Sequence, residues 1–400
     1  NAKRLIKELG IDTDRFYDYF DQELFASLGL QRGLFFDKET FGADHLAVGS
    51  MIDPEMFAES PLSAEGKADL LRLFKDERHY LDDVPPAKRA AFLANMDYQT
   101  YLSERAGMGD EALKVMLSAA RGVWAVNIDA YPADAAWSGG YPGFGDLNLR
   151  AESYRRESDH EEPNIFHFPD GNATIARLLV RKMIPAVAAG STMEDVVAAR
   201  FDYRQLDQPK SPVRVRLNST VVRAQHANDD LSKPVTVSYF RDGKVRSVQA
   251  AKVVMACYNA IIPHICPEMP VKQKTALSNC VRAPLVYTNV LIRNWRSFAK
   301  LGVSRINCPG GYHSGVTLDY PVSLGGYDFA KTPDDPIVLH LTRVPGQPGL
   351  SANEQFTAGK RDLLATSFET FERNIRDQLS RILAPGGFDA ARDIAGITVN

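Results

Sequence analysis

Between residues 124 and 150 the sequence WAVNIDAYPADAAWSGGYPGFGDLNLR interleaves aromatic and acidic side chains. Trp124, Tyr131, Trp137, Tyr141 and Phe144 alternate with Asp129, Asp134 and Asp146. Each aromatic face attracts an organic ammonium by about 0.5–2 kcal/mol, and a carboxylate supplies the opposite charge. These residue types together suit recognition of a cationic amine. The stretch is also rich in glycine and proline, so it reads equally as a long loop pinned by its own aromatics. Composition leaves both readings open. A second glycine-rich aromatic segment, with Tyr312, His313, Asp319 and Tyr327, has the same character.

Other chemistries are thinly represented. No GxGxxG follows a strand, and GxxxxGK[ST], HExxH and GxSxG are absent. No two of the eight histidines lie three or four residues apart, so no helical metal pair is written. Cys257, Cys266, Cys280 and Cys308 are separated by 9, 14 and 28 residues, which excludes CxxC and zinc-finger spacings and suits buried thiols. The carboxylates of SDHEEPN (158–164) read as a solvated acidic loop. A net charge of −3 without a long basic run argues against a nucleic-acid partner. No apolar run approaches the ~20 residues that span a bilayer.

The elements that must position these residues mix helix and strand. Four hundred residues with 44% hydrophobic and 24% charged composition are ordinary for a globular chain of two or three domains. Residues 33–48 read as a hairpin, with Leu34, Phe35 and Phe36 ahead of a turn. Helical patterns fill most of 63–122, broken at Pro85-Pro86. The run NIFHFPDGNATIARLLVRKM (164–183) turns through Pro169-Asp170-Gly171-Asn172 into a helix with Ile175, Leu178, Leu179 and Met183 on one face. A glycine turn into a helix can hold a phosphate. This one lacks the second and third glycines of a dinucleotide loop.

From residue 213 the period becomes two. VRVRLNSTVV alternates, and VTVSYF and VRSVQA flank Asp242-Gly243, a strong hairpin signal. KVVMAC (252–257) reads as a strand buried on both faces. LVYTNVLI (285–292) and PIVLHLTRV (336–344) predict another sheet, and Leu364, Phe368, Phe371, Ile375, Leu379 and Ile382 a long amphipathic helix. The closing Ile397-Thr398-Val399-Asn400 reads as the start of a strand.

Taken in order, residues 163–298 resemble the middle of a flavin-containing amine oxidoreductase, the superfamily of monoamine and polyamine oxidases. FHFPDGNATIARLLV is similar to that family's glycine turn and helix, where the chain returns from the substrate domain to the flavin domain. VRLNSTVVRAQ is similar to the strand that follows, and VTVSYFRDGKVRSVQAAKVVMACYNAIIPHI to the next hairpin and strand. VRAPLVYTNVLIRNW resembles the return into the substrate sheet. LGIDTDRFYDYFDQELFASLGLQRGLFFD, SGGYPGFGDL and GVTLDYPVSLGGYDF resemble the bacterial spermidine dehydrogenase branch.

The resemblance implies a mixed α/β chain with a two-domain flavin amine oxidase-like fold, a Rossmann-like FAD domain interleaved with a substrate domain. Residues 1–162 would be a mainly helical substrate or cap region with a hairpin, 163–262 the central part of the FAD domain, and 263–400 the substrate sheet with the long helix. The family's glycine-rich βαβ and its closing flavin motif would lie before Asn1 and after Asn400. The chain is therefore expected to be a piece that pairs with those parts, and any export signal, periplasmic or not, would lie upstream. Carried over by position, Val221, or Val222 one residue on, would meet the adenine edge, and Ala256, Cys257 and Tyr258 the phosphate or ribitol side. Lys300 takes the place of the lysine that in several members reaches flavin N5 through a water, the alternative being a surface lysine.

The activity implied is oxidation of an amine C–N bond, of a polyamine such as spermidine, by hydride transfer to FAD and hydrolysis of the imine. Asp129, Tyr131, Asp134, Trp137 and Tyr141, with Tyr312 and Tyr327, are the candidates for holding the amine. The acceptor of electrons, oxygen or a carrier, stays open, and so does a haem. Two rivals remain: a flavoprotein desaturase or oxidoreductase acting on an apolar substrate, favoured by a pocket without carboxylates, and a flavin-free binding relative.

Overall fold

The computed structural model describes residues 2–75, 78–147, 149 and 166–400; the acidic stretch 158–164 lies outside the described residues. Two units interleave along the chain. Asn1–Asp12, Phe168–Arg282 and Gly325–Tyr327 form the smaller, and Thr13–His167, Ala283–Leu324 and Asp328–Asn400 the larger. The strands of the described residues are β1 (Gln31–Phe36), β2 (His45–Val48), β3 (Thr220–His226), β4 (Val235–Arg241), β5 (Lys244–Ala250), β6 (Val286–Ile292), β7 (Val303–Asn307), β8 (Gly315–Leu318), β9 (Ile337–Arg343) and β10 (Ile394–Val399).

The larger unit is built on a seven-stranded sheet in the order β10-β6-β9-β8-β7-β1-β2. Its neighbours are antiparallel except β1 and β7, which run parallel. The alternation expected in 285–292 and 336–344 sorts the two faces. Val286, Thr288, Val290 and Ile292 of β6 and Ile337, Leu339 and Leu341 of β9 are buried on one side, while Asn289, His340 and Thr342 take the other. The buried side is sealed by the helix Phe368–Leu383, which lays down Phe371, Ile375, Leu379 and Ile382 at helical spacing.

That helix does not reach back to Leu364. The chain breaks at Thr366-Ser367, where Ser367 Oγ accepts the Thr370 amide at 3.3 Å as an N-cap, and Leu364 ends the preceding helix Ala352–Ala365 at 78% exposure.

Strand β1 serves two cores at once. Leu34 and Phe36 join a helical core with Leu70, Leu73, Leu93, Tyr98 and Tyr101, while Phe35 points into the core under the sheet. Burial on both faces explains the unbroken Leu34-Phe35-Phe36 run. The expected hairpin is present as β1 and β2, with a short helix, Lys38–Phe41, capped by Asp37 between them.

His313 closes the buried side. It is fully buried; its amide donates to Gln378 Oε1 at 2.8 Å, its carbonyl accepts Gln378 Nε2 at 2.8 Å, and its Nε2 lies 3.1 Å from Thr288 Oγ1. Burial, with the nearby Arg343 guanidinium adding to it, pushes the imidazole down to about 3. It is a neutral core histidine.

In the smaller unit β3, β4 and β5 form an antiparallel sheet, with Asp242-Gly243 turning the second hairpin as expected. Gly171 sits at φ +64° in the turn before the helix Ala173–Met183, a conformation that favours glycine there. The helix buries Thr174, Leu178 and Arg181 and leaves Met183 exposed, so the buried stripe is rotated from the expected one. The cause is an ion pair. Arg181 is buried against Asp195 and also donates to the Thr192 carbonyl at 2.7 Å. Burial raises the Asp195 carboxyl, but the amides of Thr192 and Ser191 and the Arg181 guanidinium outweigh it and hold the group at about 2.

Two strand expectations are corrected here. Residues 213–219 form no ladder, because Arg214 and Arg216 are drawn to Asp207, which Arg241 of β4 also reaches. Residues 252–257 form no strand: no described strand pairs with them, and Val254 is 88% exposed.

Leu379→Ala is expected to cost about 2–5 kcal/mol in urea unfolding, whereas Leu364→Ala should stay within about 0.5 kcal/mol of the parent; equal effects would contradict the two-helix arrangement. The His313 imidazole predicts a pH dependence of known sign. Below about pH 6.5 the unfolded chain binds a proton that the folded chain refuses until about pH 3, so stability falls across that window, by roughly 1 kcal/mol per pH unit at its steepest. His313→Gln should be less stable at pH 7 yet lose less between pH 6 and pH 4; parallel urea midpoints for the two proteins would remove this role.

Candidate functional site

The glycine-rich loop after residue 138 is held from below by hydroxyls of the helical core. Tyr98 Oη donates to the Pro142 carbonyl and Tyr101 Oη to the Gly143 carbonyl, both at 2.7 Å, and Trp137 Nε1 donates to the Leu147 carbonyl at 2.9 Å. Phe144 stacks on Tyr101 with centroids 4.5 Å apart. Gly143 has φ +95°, and a Cβ on it would lie 3.2 Å from Leu73 Cδ1, so both conformation and space call for glycine. This anchoring sets Tyr141 at the rim of a cavity of about 770 Å³ within the larger unit, a size typical of small-molecule sites.

The floor of the cavity is the polar face of the sheet: Arg32 of β1, Arg305 and Asn307 of β7, Gly315 and Thr317 of β8, and Thr342 of β9. The walls are apolar, with Met56, Phe74, Val115, Met116 and Val123. Register places Arg32 beside Arg305, Arg305 beside Thr317, Thr317 beside His340 and His340 beside Asn289. Register partners share a face, so these residues form one polar row across five strands. Beyond the cavity the row is knit together: His340 Nδ1 lies 2.7 Å from Asn289 Oδ1, and its Nε2 lies 2.7 Å from Asp319 Oδ1. The only charged groups of the lining are Arg32 and Arg305, and no carboxylate lines it among the described residues.

The candidates named from sequence are distributed as follows. Tyr141 lines the cavity, while Tyr131 and Trp137 are buried in the helical core, where Tyr131 Oη donates to the Ala135 carbonyl at 2.9 Å. Trp124 stacks on Tyr131 at 5.5 Å. Asp129 accepts the Gly349 amide at 2.6 Å and Gln355 Nε2 at 3.0 Å, and Asp134 accepts the Ala135 amide at 2.8 Å. Tyr312 lies under the Arg343 guanidinium at 3.8 Å from its ring, outside the lining. Lys300 is exposed on the helix Arg296–Leu301 and does not line the cavity.

Tyr327 and all five candidates for the cofactor belong to the smaller unit. A bulge between Val221 and Arg223 leaves Val222 out of the β3–β4 ladder, and both valines are exposed. Ala256 and Cys257 are exposed, and Tyr258 donates its hydroxyl to the Cys280 carbonyl at 2.8 Å with Arg282 over its ring. Sequence reasoning passed over Arg32, Arg305, Asn307 and His340. Only His340 lies in a run whose alternation reads as a strand; residues 303–307 carry no such reading, and nothing in the sequence says that residue 32 lies against residue 305.

Among the described residues no cluster of His, Cys, Asp and Glu could hold a metal, and no helix is long and apolar enough to cross a membrane. No protein-family model and no curated protein matches the chain. Solved structures do. A double mutant of putrescine oxidase, made in a redesign of its cofactor binding, is similar over 100% of this chain and 70% of that chain, with a TM-score of 0.50 and 13% identity. A triple mutant from the same redesign is similar over the same shares, with a TM-score of 0.50 and 14% identity. Cyclohexylamine oxidase from Brevibacterium oxydans is similar over 94% of this chain and 69% of that chain, at a TM-score of 0.43 and 14% identity. At such identity the likeness is one of architecture, and it gives this mixed α/β chain a flavin amine oxidase-like fold.

Proposed function

We propose that this chain belongs to an FAD-dependent oxidoreductase that oxidises the C–N bond of a small amine. The observation that carries the reading is a cavity of about 770 Å³ on the polar face of the mixed sheet, in a chain with this fold. When bound, FAD supplies the hydride acceptor. The protein's part is then to bind and orient the amine and to exclude water. The apolar walls of Phe74, Met116 and Val123 suit both tasks, and Tyr141 at the rim offers an aromatic face to the amine.

Two features of the smaller unit support an FAD site there. The bulge at Val222 offers peptide groups that β4 does not use, as contact with an adenine edge requires, and Ala256 and Cys257 lie exposed in a segment that turns back at Val254, able to approach a phosphate or ribitol. Lys300 stays a candidate only as a residue whose helix borders the sheet core.

Two substrate classes follow. The sequence resemblance supports a polyamine such as spermidine. The lining supports a different class, because two arginines and no described carboxylate give a polycation no counter-charge. The same arginines also disfavour a wholly apolar substrate.

The intact protein should be yellow, and anaerobic addition of an amine should bleach its flavin band. Putrescine, spermidine, cyclohexylamine and 4-aminobutyrate form the panel. A colourless protein would sink the flavin reading, and an unchanged spectrum with every amine would sink C–N oxidation.

A further inference from the structure

Two arginines stand on adjacent strands of the cavity floor. Arg32 and Arg305 are register partners on adjacent parallel strands, which places their backbones about 5 Å apart with side chains on one face. Both are exposed to the cavity, and neither forms an ion pair or side-chain hydrogen bond with a described residue. Elsewhere this chain pairs its arginines heavily: Arg381 reaches Glu39 and Asp44, Arg376 reaches Glu372, and Arg343 reaches Asp362. Like charges placed directly opposite in a sheet repel and destabilise it. A pair kept without acids in a concave, apolar-walled space is the arrangement that an anion relieves.

We infer that Arg32 and Arg305 form a subsite for a carboxylate of the substrate, so that the amine oxidised in this cavity also carries an acidic group. The inference rests on the C–N oxidation reading for its chemistry, though not for the binding itself. A planar guanidinium donates two parallel N–H bonds to a carboxylate, and two neighbouring forks can share its two oxygens. Thr317, register partner of Arg305, adds a hydroxyl to the same row. Gly315, opposite Asn307, has no side chain to fill the floor, and a Cβ there would meet only the Ile306 carbonyl at 3.8 Å. The apolar wall takes the carbon skeleton. The ligand that fits is a small molecule with a carboxylate at one end and an apolar body.

The test compares ligands that differ only in terminal charge. The intact protein is titrated with glutarate, 1,5-diaminopentane and inorganic phosphate, following the thermal midpoint. Glutarate should raise the midpoint, less so at high salt, and the diamine should leave it unchanged. Arg32→Gln and Arg305→Gln should each weaken glutarate about tenfold or more, with Arg305→Lys retaining part of the affinity. The inference is overturned if the diamine binds as well as glutarate, if phosphate binds more tightly, or if both glutamine variants bind glutarate as the parent does. The parent protein alone decides the first two outcomes, should a variant fail to fold. In a second arm, 4-aminobutyrate should reduce the bound flavin at a higher kcat/KM than putrescine. Glutarate binding without reduction by any amine would keep the carboxylate subsite and remove C–N oxidation; reduction by putrescine without glutarate binding would do the reverse.

Discussion

The larger unit depends on one parallel pairing, residues 31–34 of β1 against 303–307 of β7. Every other neighbour in the sheet is antiparallel, and most are close in sequence. This one closes a loop of some 270 residues, which is slow to form and needs many favourable contacts in return. Those contacts come from burial on both sides of β1. Phe35 enters the core sealed by the helix Phe368–Leu383, while Leu34 and Phe36 enter the helical core. The strand is thus the seam at which two cores meet, and the cavity opens where that seam turns polar, at Arg32 and Arg305.

Much of this architecture was legible because it rests on local period. In β6 and β9 the alternation of apolar and polar residues fixes which side chains share a face, and the helix over 368–383 follows from its stripe. What failed was whatever depended on a partner. Residues 252–257 have the composition of a doubly buried strand, yet a strand exists only through its neighbours, and none pairs with them among the described residues. The alternation of Val213, Val215 and Leu217 is real, but Asp207 holds the intervening arginines instead of a ladder. In the helix Ala173–Met183, Arg181 is buried where the apolar stripe predicts an exposed charge, because Asp195 meets it.

The candidate site shows the same division more sharply. Residue type nominated the aromatic and acidic segment 124–150, and the segment does border the cavity through Tyr141. Most of its polar ends, however, make bonds that anchor the segment rather than reach the cavity. Trp137 bonds the Leu147 carbonyl, and Asp129 ties Gly349 to Gln355. Arg121 nearby is buried enough that desolvation and the Arg343 guanidinium push it down to about 10 despite Asp129. These groups stabilise the wall that shapes the cavity. The floor was invisible in the sequence, since Arg32 and Arg305 carry no motif and become a pair only by register.

The sign of the floor's charge bears on what the cavity can accept. A cation entering it would leave water for a space whose fixed charges, among the described residues, are both positive, and aromatic contact with Tyr141 is a weak return for that loss. An acidic group entering the same space exchanges its hydration for donors already in place. An amine that also bears a carboxylate meets both conditions: its acid faces Arg32 and Arg305, and its nitrogen, held neutral for reaction, can lie against the apolar wall. The sheet row then divides its labour by position, with the charged end at β1 and β7 for anchoring and the hydrogen-bonded His340, Asn289 and Asp319 end stiffening the strands that hold it.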